Sequence, residues 1–156
     1  MADHIYEGGW AKTTSTAAAP FGEVLPIALT AGGGSRNPEI REIGIFNNSG
    51  AAAEVAIGHP AAIGITPATL TTVQAMNGMD VIAGKTTVAT TWGTAPTAPA
   101  TFMRRATLQT VVGSGVIWVW NPGEFVLWQG STLNTLVLWQ LSTVAVTYDC
   151  YIKVAE

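Results

Sequence analysis

Thr143-Val144-Ala145-Val146-Thr147-Tyr148-Asp149-Cys150-Tyr151-Ile152-Lys153-Val154 alternates without interruption. Val144, Val146, Tyr148, Cys150, Ile152 and Val154 fall on one side of an extended chain; Ala145, Thr147, Asp149, Tyr151 and Lys153 fall on the other. Successive side chains of a strand point to opposite faces, so this period of two sets an apolar row against a core and a mixed row outward. Cys150, the single cysteine, stands in the apolar row. It reads as a small buried hydrophobe rather than a reactive thiol, and it excludes an internal disulfide.

Upstream of that stretch the same signal recurs in shorter pieces. Strands are expected at 135–139, 125–128, 116–120 and 106–112. Between them stand the turns Gln129-Gly130-Ser131, Asn121-Pro122-Gly123-Glu124 and Gly113-Ser114-Gly115. Asn-Pro-Gly has the proline-glycine order of a type II turn. Gly113-Ser114-Gly115 reads as a hairpin turn. Further back, the β-branched run 86–92 disfavours helix, and Pro96 and Pro99 mark 93–100 as a loop. Shorter strands are expected at 81–82 and 71–75, with a turn at Asn77-Gly78. Residues 61–67 read as a loop, and Pro67 as the opening of a short helical turn, because proline suits the first helical position. Strands at 39–46 and 54–57 flank Asn47-Asn48-Ser49-Gly50, a polar turn, and are expected to form a hairpin. The count is about eight to ten short antiparallel strands, which makes the fold all-β: a single-domain jelly roll or related β-sandwich.

Residues 1–37 differ in character. Thr13 to Ala19 is a run of Thr, Ser and Ala, Gly32-Gly33-Gly34-Ser35 is a flexible joint, and Pro20 and Pro26 interrupt the apolar residues around them. This segment is expected to be an extended N-terminal arm with one short strand at 24–29, attached to a sandwich body at 38–156. Deleting it is expected to leave the body's thermal stability nearly unchanged.

Charge is scarce. Charged residues make up 11% of the chain, against about 25% in a typical globular domain. Between Glu54 and Arg104 only Asp80 and Lys85 are charged, and nine of the seventeen charges lie in the first 54 residues. A chain this neutral is expected to be covered by other protein subunits over much of its surface. The net charge of -3 and the lone pair Arg104-Arg105 argue against nucleic acid. No run reaches the ~20 apolar residues of a membrane helix, and the strands are too short and irregular for a membrane barrel. Met1-Ala2-Asp3-His4 has neither the basic nor the apolar region of a signal peptide.

The search for chemistry comes back empty, and the chain is expected not to be an enzyme and to need no cofactor. Gly84-Lys85-Thr86-Thr87 resembles the end of a phosphate loop, but Met79 stands where glycine is required, and no helix follows. His4 and His59 are too few for a zinc site, which takes three or four ligands. Gly113-Ser114-Gly115 is not a nucleophile elbow, and Glu124, Asp149 and Asp80 are not brought together by any local pattern for glycoside hydrolysis. Asn47-Asn48-Ser49 matches a glycosylation acceptor, which the turn itself explains. Trp118 and Trp120 share one face of a strand and suit a core, a subunit interface or a sugar-stacking platform.

Three stretches carry a resemblance: Glu39-Ile40-Arg41-Glu42-Ile43-Gly44-Ile45-Phe46-Asn47-Asn48, Asn121-Pro122-Gly123-Glu124-Phe125-Val126-Leu127-Trp128, and Tyr148-Asp149-Cys150-Tyr151-Ile152-Lys153-Val154. With the Ala, Thr, Gly and Val composition, residues 38–156 resemble the bacteriophage head decoration, or cement, proteins of jelly-roll type. The resemblance implies a homotrimer on the outer capsid surface of a virion, assembled in the host cytoplasm, that bridges neighbouring copies of the major capsid protein. The candidate interface comprises the aromatic residues Trp10, Phe21, Trp92 and Phe102. Arg104, Arg105, Trp118 and Trp120 complete it. The other reading is a carbohydrate- or receptor-binding β-module of a phage tail or fibre.

Overall fold

A computed structural model describes residues 4–26, 37–77, 86–127 and 135–156. The expected strand at 81–82, the Gly32-Gly33-Gly34-Ser35 joint, the turn at 129–131 and Trp128 lie outside the described residues. Among those described there is no helix. The strands are β1 Ile5–Thr14, β2 Ala19–Pro26, β3 Glu39–Asn47, β4 Ala53–Gly58, β5 Ile65–Thr72, β6 Gln74–Ala75, β7 Thr86–Thr94, β8 Arg104–Leu108, β9 Gly115–Val119, β10 Leu136–Gln140 and β11 Val146–Ala155.

They form two antiparallel sheets packed as a sandwich. Sheet 1 has the order β6-β1-β11-β3-β9 and sheet 2 the order β5-β7-β2-β10-β4-β8. Without β5 to β7 a simple rule emerges. β1 pairs with β11, β2 with β10, β3 with β9 and β4 with β8. The chain is therefore one long two-stranded ribbon folded back and forth between the sheets. The ladders β11–β3 and β10–β4 then join its successive turns side by side. That is the jelly roll, in which wrapping the ribbon buries one face of every strand. Residues between β4 and β8 leave the ribbon, and β7 and β6 add to the free sides of β2 and β1.

The alternation of the closing strand is realised in β11. Val146, Tyr148, Cys150, Ile152 and Val154 are buried, whereas Thr147, Asp149, Tyr151 and Lys153 are not. Beside them in sheet 1, Ile40, Ile43 and Ile45 of β3 are fully buried, as are Val55 and Ile57 of β4 in sheet 2. Each such side chain contributes about 1.5–3 kcal/mol by leaving water. Phe21 of β2 stacks on Tyr148 of β11 with ring centroids 4.4 Å apart. The Tyr148 hydroxyl donates to Gln140 Oε1 at 2.8 Å, and Gln140 Nε2 donates to the Ser142 and Val144 carbonyls. This buried polar network ties β11 of sheet 1 to β10 of sheet 2 with its partners satisfied.

Several sequence expectations are corrected. Residues 5–26 are not an extended arm: β1 pairs with β11 at ten positions, and Phe21 and Val24 have no exposed surface. The short strand expected at 24–29 begins earlier, as β2, while 27–29 lie outside the described residues. β3 and β4 do not form a hairpin but lie in different sheets, because the 47–52 turn is an arch across the sandwich. Likewise 113–115 crosses from β8 in sheet 2 to β9 in sheet 1. Pro67 starts no helix; it lies in β5 opposite Trp92, on an edge strand where a missing N–H is tolerated. The expected strand at 125–128 is reduced to a single bridge between Val126 and Glu39.

The arch is held by Asn47, which is fully buried. Its Nδ2 donates to the Ala51 carbonyl at 2.6 Å and the Gln109 carbonyl at 2.8 Å. Its Oδ1 accepts from the Ser49 N–H and hydroxyl at 2.8 and 2.9 Å. One side chain thus joins both inter-sheet crossings. Asn47→Ala orphans these groups and is expected to cost about 2–4 kcal/mol in urea unfolding, whereas exposed Asn48→Ala stays within about 0.5 kcal/mol. Deleting residues 1–14 removes the partner of β11 and is expected to abolish cooperative unfolding, measured by circular dichroism.

Candidate interaction surface

The two outer faces of the sandwich differ. That of sheet 2 is covered. Ala56, Val137 and Trp139 point away from the main core, are fully buried, and pack with Ala98, Phe102 and Leu141. The cover comes from the segment between β4 and β8, where Ala62 and Thr97 bridge. Glu23 of β2 anchors it from beneath. This buried carboxylate accepts from Trp92 Nε1 at 2.6 Å, Thr135 Oγ1 at 2.8 Å and the Gly64 N–H at 3.4 Å. Gly64 is required there, since a Cβ would stand 2.1 Å from Trp92 Cδ1. His59 Nδ1 lies 2.9 Å from the Thr135 carbonyl, and its ring meets Phe125 edge-on.

The outer face of sheet 1 carries no such cover among the described residues. Its register sets outward residues in rows across β1, β11, β3 and β9. One row is Glu7, Lys153, Glu42 and Val119; the next is Gly9, Tyr151, Gly44 and Ile117; the next is Ala11, Asp149, Phe46 and Gly115. The side toward β1 is polar. The side toward β9 is apolar, with Ile117 51% and Val119 60% exposed. Val111, Val112 and Val126 add to this strip. β9 is an edge strand of sheet 1, so among the described residues the strip runs beside backbone groups that no strand pairs on their far side. An apolar edge of this kind invites protein contact.

The tryptophans are placed differently from the candidate interface. Phe21 is fully buried, and Trp118 and Trp120 are each 8% exposed in the main core. Trp10 is half-buried and bonds the Phe21 carbonyl through Nε1 at 3.0 Å, linking β1 to β2. Trp92 holds Glu23, and Phe102 packs on Trp139. Arg104 is brought to Trp120, its guanidinium carbon 4.5 Å from the ring centroid. Arg105 reaches across to Glu54 of β4 at 2.5 Å. These residues therefore form no single surface, and most of them hold the fold. Of the readings open to Trp118 and Trp120 the core is realised, and Ile117 and Val119, which alternate with them, take the exposed face of β9.

No group of three or more metal-ligating side chains occurs among the described residues. An open cleft of about 450 Å³ beside β1 and β6 is lined by Glu7, Gly8, Gly9, Thr71, Gln74 and Met76, among others. Among the described residues, Glu7 is its one titratable group. Burial pushes the Cys150 thiol well above its ordinary value, leaving it a packing residue. A scan of protein-family models found no match to this chain, and searches of curated proteins and of solved structures found none either.

Tyr151 reports on the open face. Burial, then the hydrogen bond to Glu42, pushes its hydroxyl from 10.0 up to about 12. The fold thus favours neutral Tyr151. That contribution is complete below pH 10.0 and is lost as pH rises toward about 12. Glu42→Gln is expected to move the Tyr151 transition down in an ultraviolet absorbance titration. On the covered face, Glu23→Leu strands three donors and is expected to lower stability by about 3 kcal/mol in urea unfolding.

Proposed function

We propose that this chain is a structural virion protein, a jelly roll that decorates a phage capsid and binds both its own copies and the major capsid protein. The observation that carries this reading is the exposed apolar strip along β9, Ile117 and Val119 with Val111, Val112 and Val126 beside it. Surface area of that kind is stabilised by covering it with protein. The scarcity of charge beyond Glu54 supports the same reading, because interface cores are depleted of charged side chains. Symmetric copies on a shell multiply individually weak contacts, so modest apolar patches suffice for firm attachment. The homotrimer itself rests on the resemblance to decoration proteins.

Ile117→Asp with Val119→Asp places two charges on the strip without touching the core. The parent chain is expected to be a trimer by light scattering and to occupy the outer shell in maps of purified particles. The double variant is expected to be a monomer, absent from particles, with an unchanged melting temperature. A parent chain that stays monomeric and is missing from the shell overturns the reading.

A further inference from the structure

Two aromatic rings on the open face of sheet 1 are absorbed by neither the core nor the apolar strip. Tyr151 of β11 leans over Gly44 of β3, where a Cβ would lie 2.1 Å from Tyr151 Cε1. Phe46 of β3 leans over Gly115 of β9, where a Cβ would lie 2.4 Å from Phe46 Cδ1. Both contacts require glycine, and both rings lean the same way, toward β9. Their planes are within 20° of parallel and their centroids are 6.2 Å apart. Tyr151 and Phe46 stand in neighbouring rows, at the spacing of an offset, near-parallel aromatic pair.

Hydrogen-bonding groups border them. The Tyr151 hydroxyl donates to Glu42 Oε1, which fixes the ring. Lys153 Nζ lies 3.4 Å from the same oxygen and 6.0 Å from the Tyr151 ring centroid. Exposed Asp149 shares a row with Phe46, and Glu7 lies beyond Lys153.

We propose that this face is a saccharide platform that takes uncharged hexose units, their C–H faces stacked on Tyr151 and Phe46. Aromatic faces are electron-rich and attract the weakly positive C–H face of a pyranose. Asp149 and Glu42 accept from sugar hydroxyls, and Lys153 donates. Three carboxylates (Glu7, Glu42 and Asp149) against one ammonium (Lys153) leave the rim negative, which repels acidic sugars, phosphates and nucleic acid. These charges border both rings, the reverse of a protein interface, whose core is depleted of charge. The apolar area suited to protein adjoins this platform along β9, with Ile117 and Val119.

The test is titration of the isotope-labelled full chain with cellotriose, maltotriose, tri-N-acetylchitotriose and sialyllactose, followed by amide resonances. At least one neutral sugar is expected to shift Gly9, Gly44 and Gly115 saturably, and the acidic sugar to leave them unmoved. Phe46→Ala and Tyr151→Ala are each expected to weaken that binding about tenfold or more, the loss of one stacked ring. Gly44→Ala displaces the Tyr151 ring without removing it and is expected to do the same. Retained spectral dispersion separates loss of binding from loss of fold, and if Tyr151→Ala does not fold, the other two variants carry the comparison. No saturable shift with any neutral sugar at millimolar concentration overturns the proposal, as does binding that survives both Phe46→Ala and Gly44→Ala. A shift of Gly9, on the side away from β9, on dilution alone overturns it too, since it places a second copy on the face.

Discussion

The whole roll depends on β11 being paired on both sides at once. β1 lies along one edge of it from Ile5 to Thr14, and β3 along the other from Glu39 to Asn47. A strand paired on both edges leaves no free ladder, and its side chains then have only two directions to point. The period of two in β11 decides which residues go inward, and its neighbours inherit that register. Tyr148 carries the constraint across the gap, stacking on Phe21 and bonding Gln140 in the opposite sheet. A one-residue slip would turn the buried valines outward and Asp149 and Lys153 inward.

What could be read in the sequence follows from where each signal resides. β3, β4, β7 and β9 declared themselves because each carries its own alternation or β-branched run. β1 did not, because Gly8 occupies one of its inward positions and the space is filled from elsewhere: Val73 Cγ1 lies 3.1 Å from where a Gly8 Cβ would be. A missing side chain completed by a distant residue leaves no local pattern. The arches at 47–52 and 113–115 read as hairpin turns for a related reason. Turn chemistry specifies that the chain reverses, while the choice between pairing and crossing the sandwich lies with non-local partners such as the Asn47 bond to Gln109.

The candidate surfaces were less legible than the fold. Tryptophan drew attention as the largest side chain, yet Trp118, Trp120 and Trp139 fill cores, and Trp92 binds a buried carboxylate. The open face is built from smaller residues whose meaning depends on register across three strands. Tyr151 stood in the outward row of the opening stretch, but only the alignment of Gly44 beside it lets the ring lean over the sheet. The two outer faces of the sandwich are thus specialised by one insertion: residues between β4 and β8 cover sheet 2, and among the described residues none covers the outer face of sheet 1.

The pairing of Ile5 with Ala155 has a consequence for how the molecule is made. The ribbon matches early segments with late ones, so β1 and β2 leave the ribosome long before their partners exist. Loops of that span close slowly, and topologies dominated by such contacts fold on the scale of milliseconds to seconds. During synthesis the first two strands have no stable sheet to join. Completion of both sheets therefore waits until β10 and β11 have been made, and until then β1 and β2 lack the ladders that hold them in the roll.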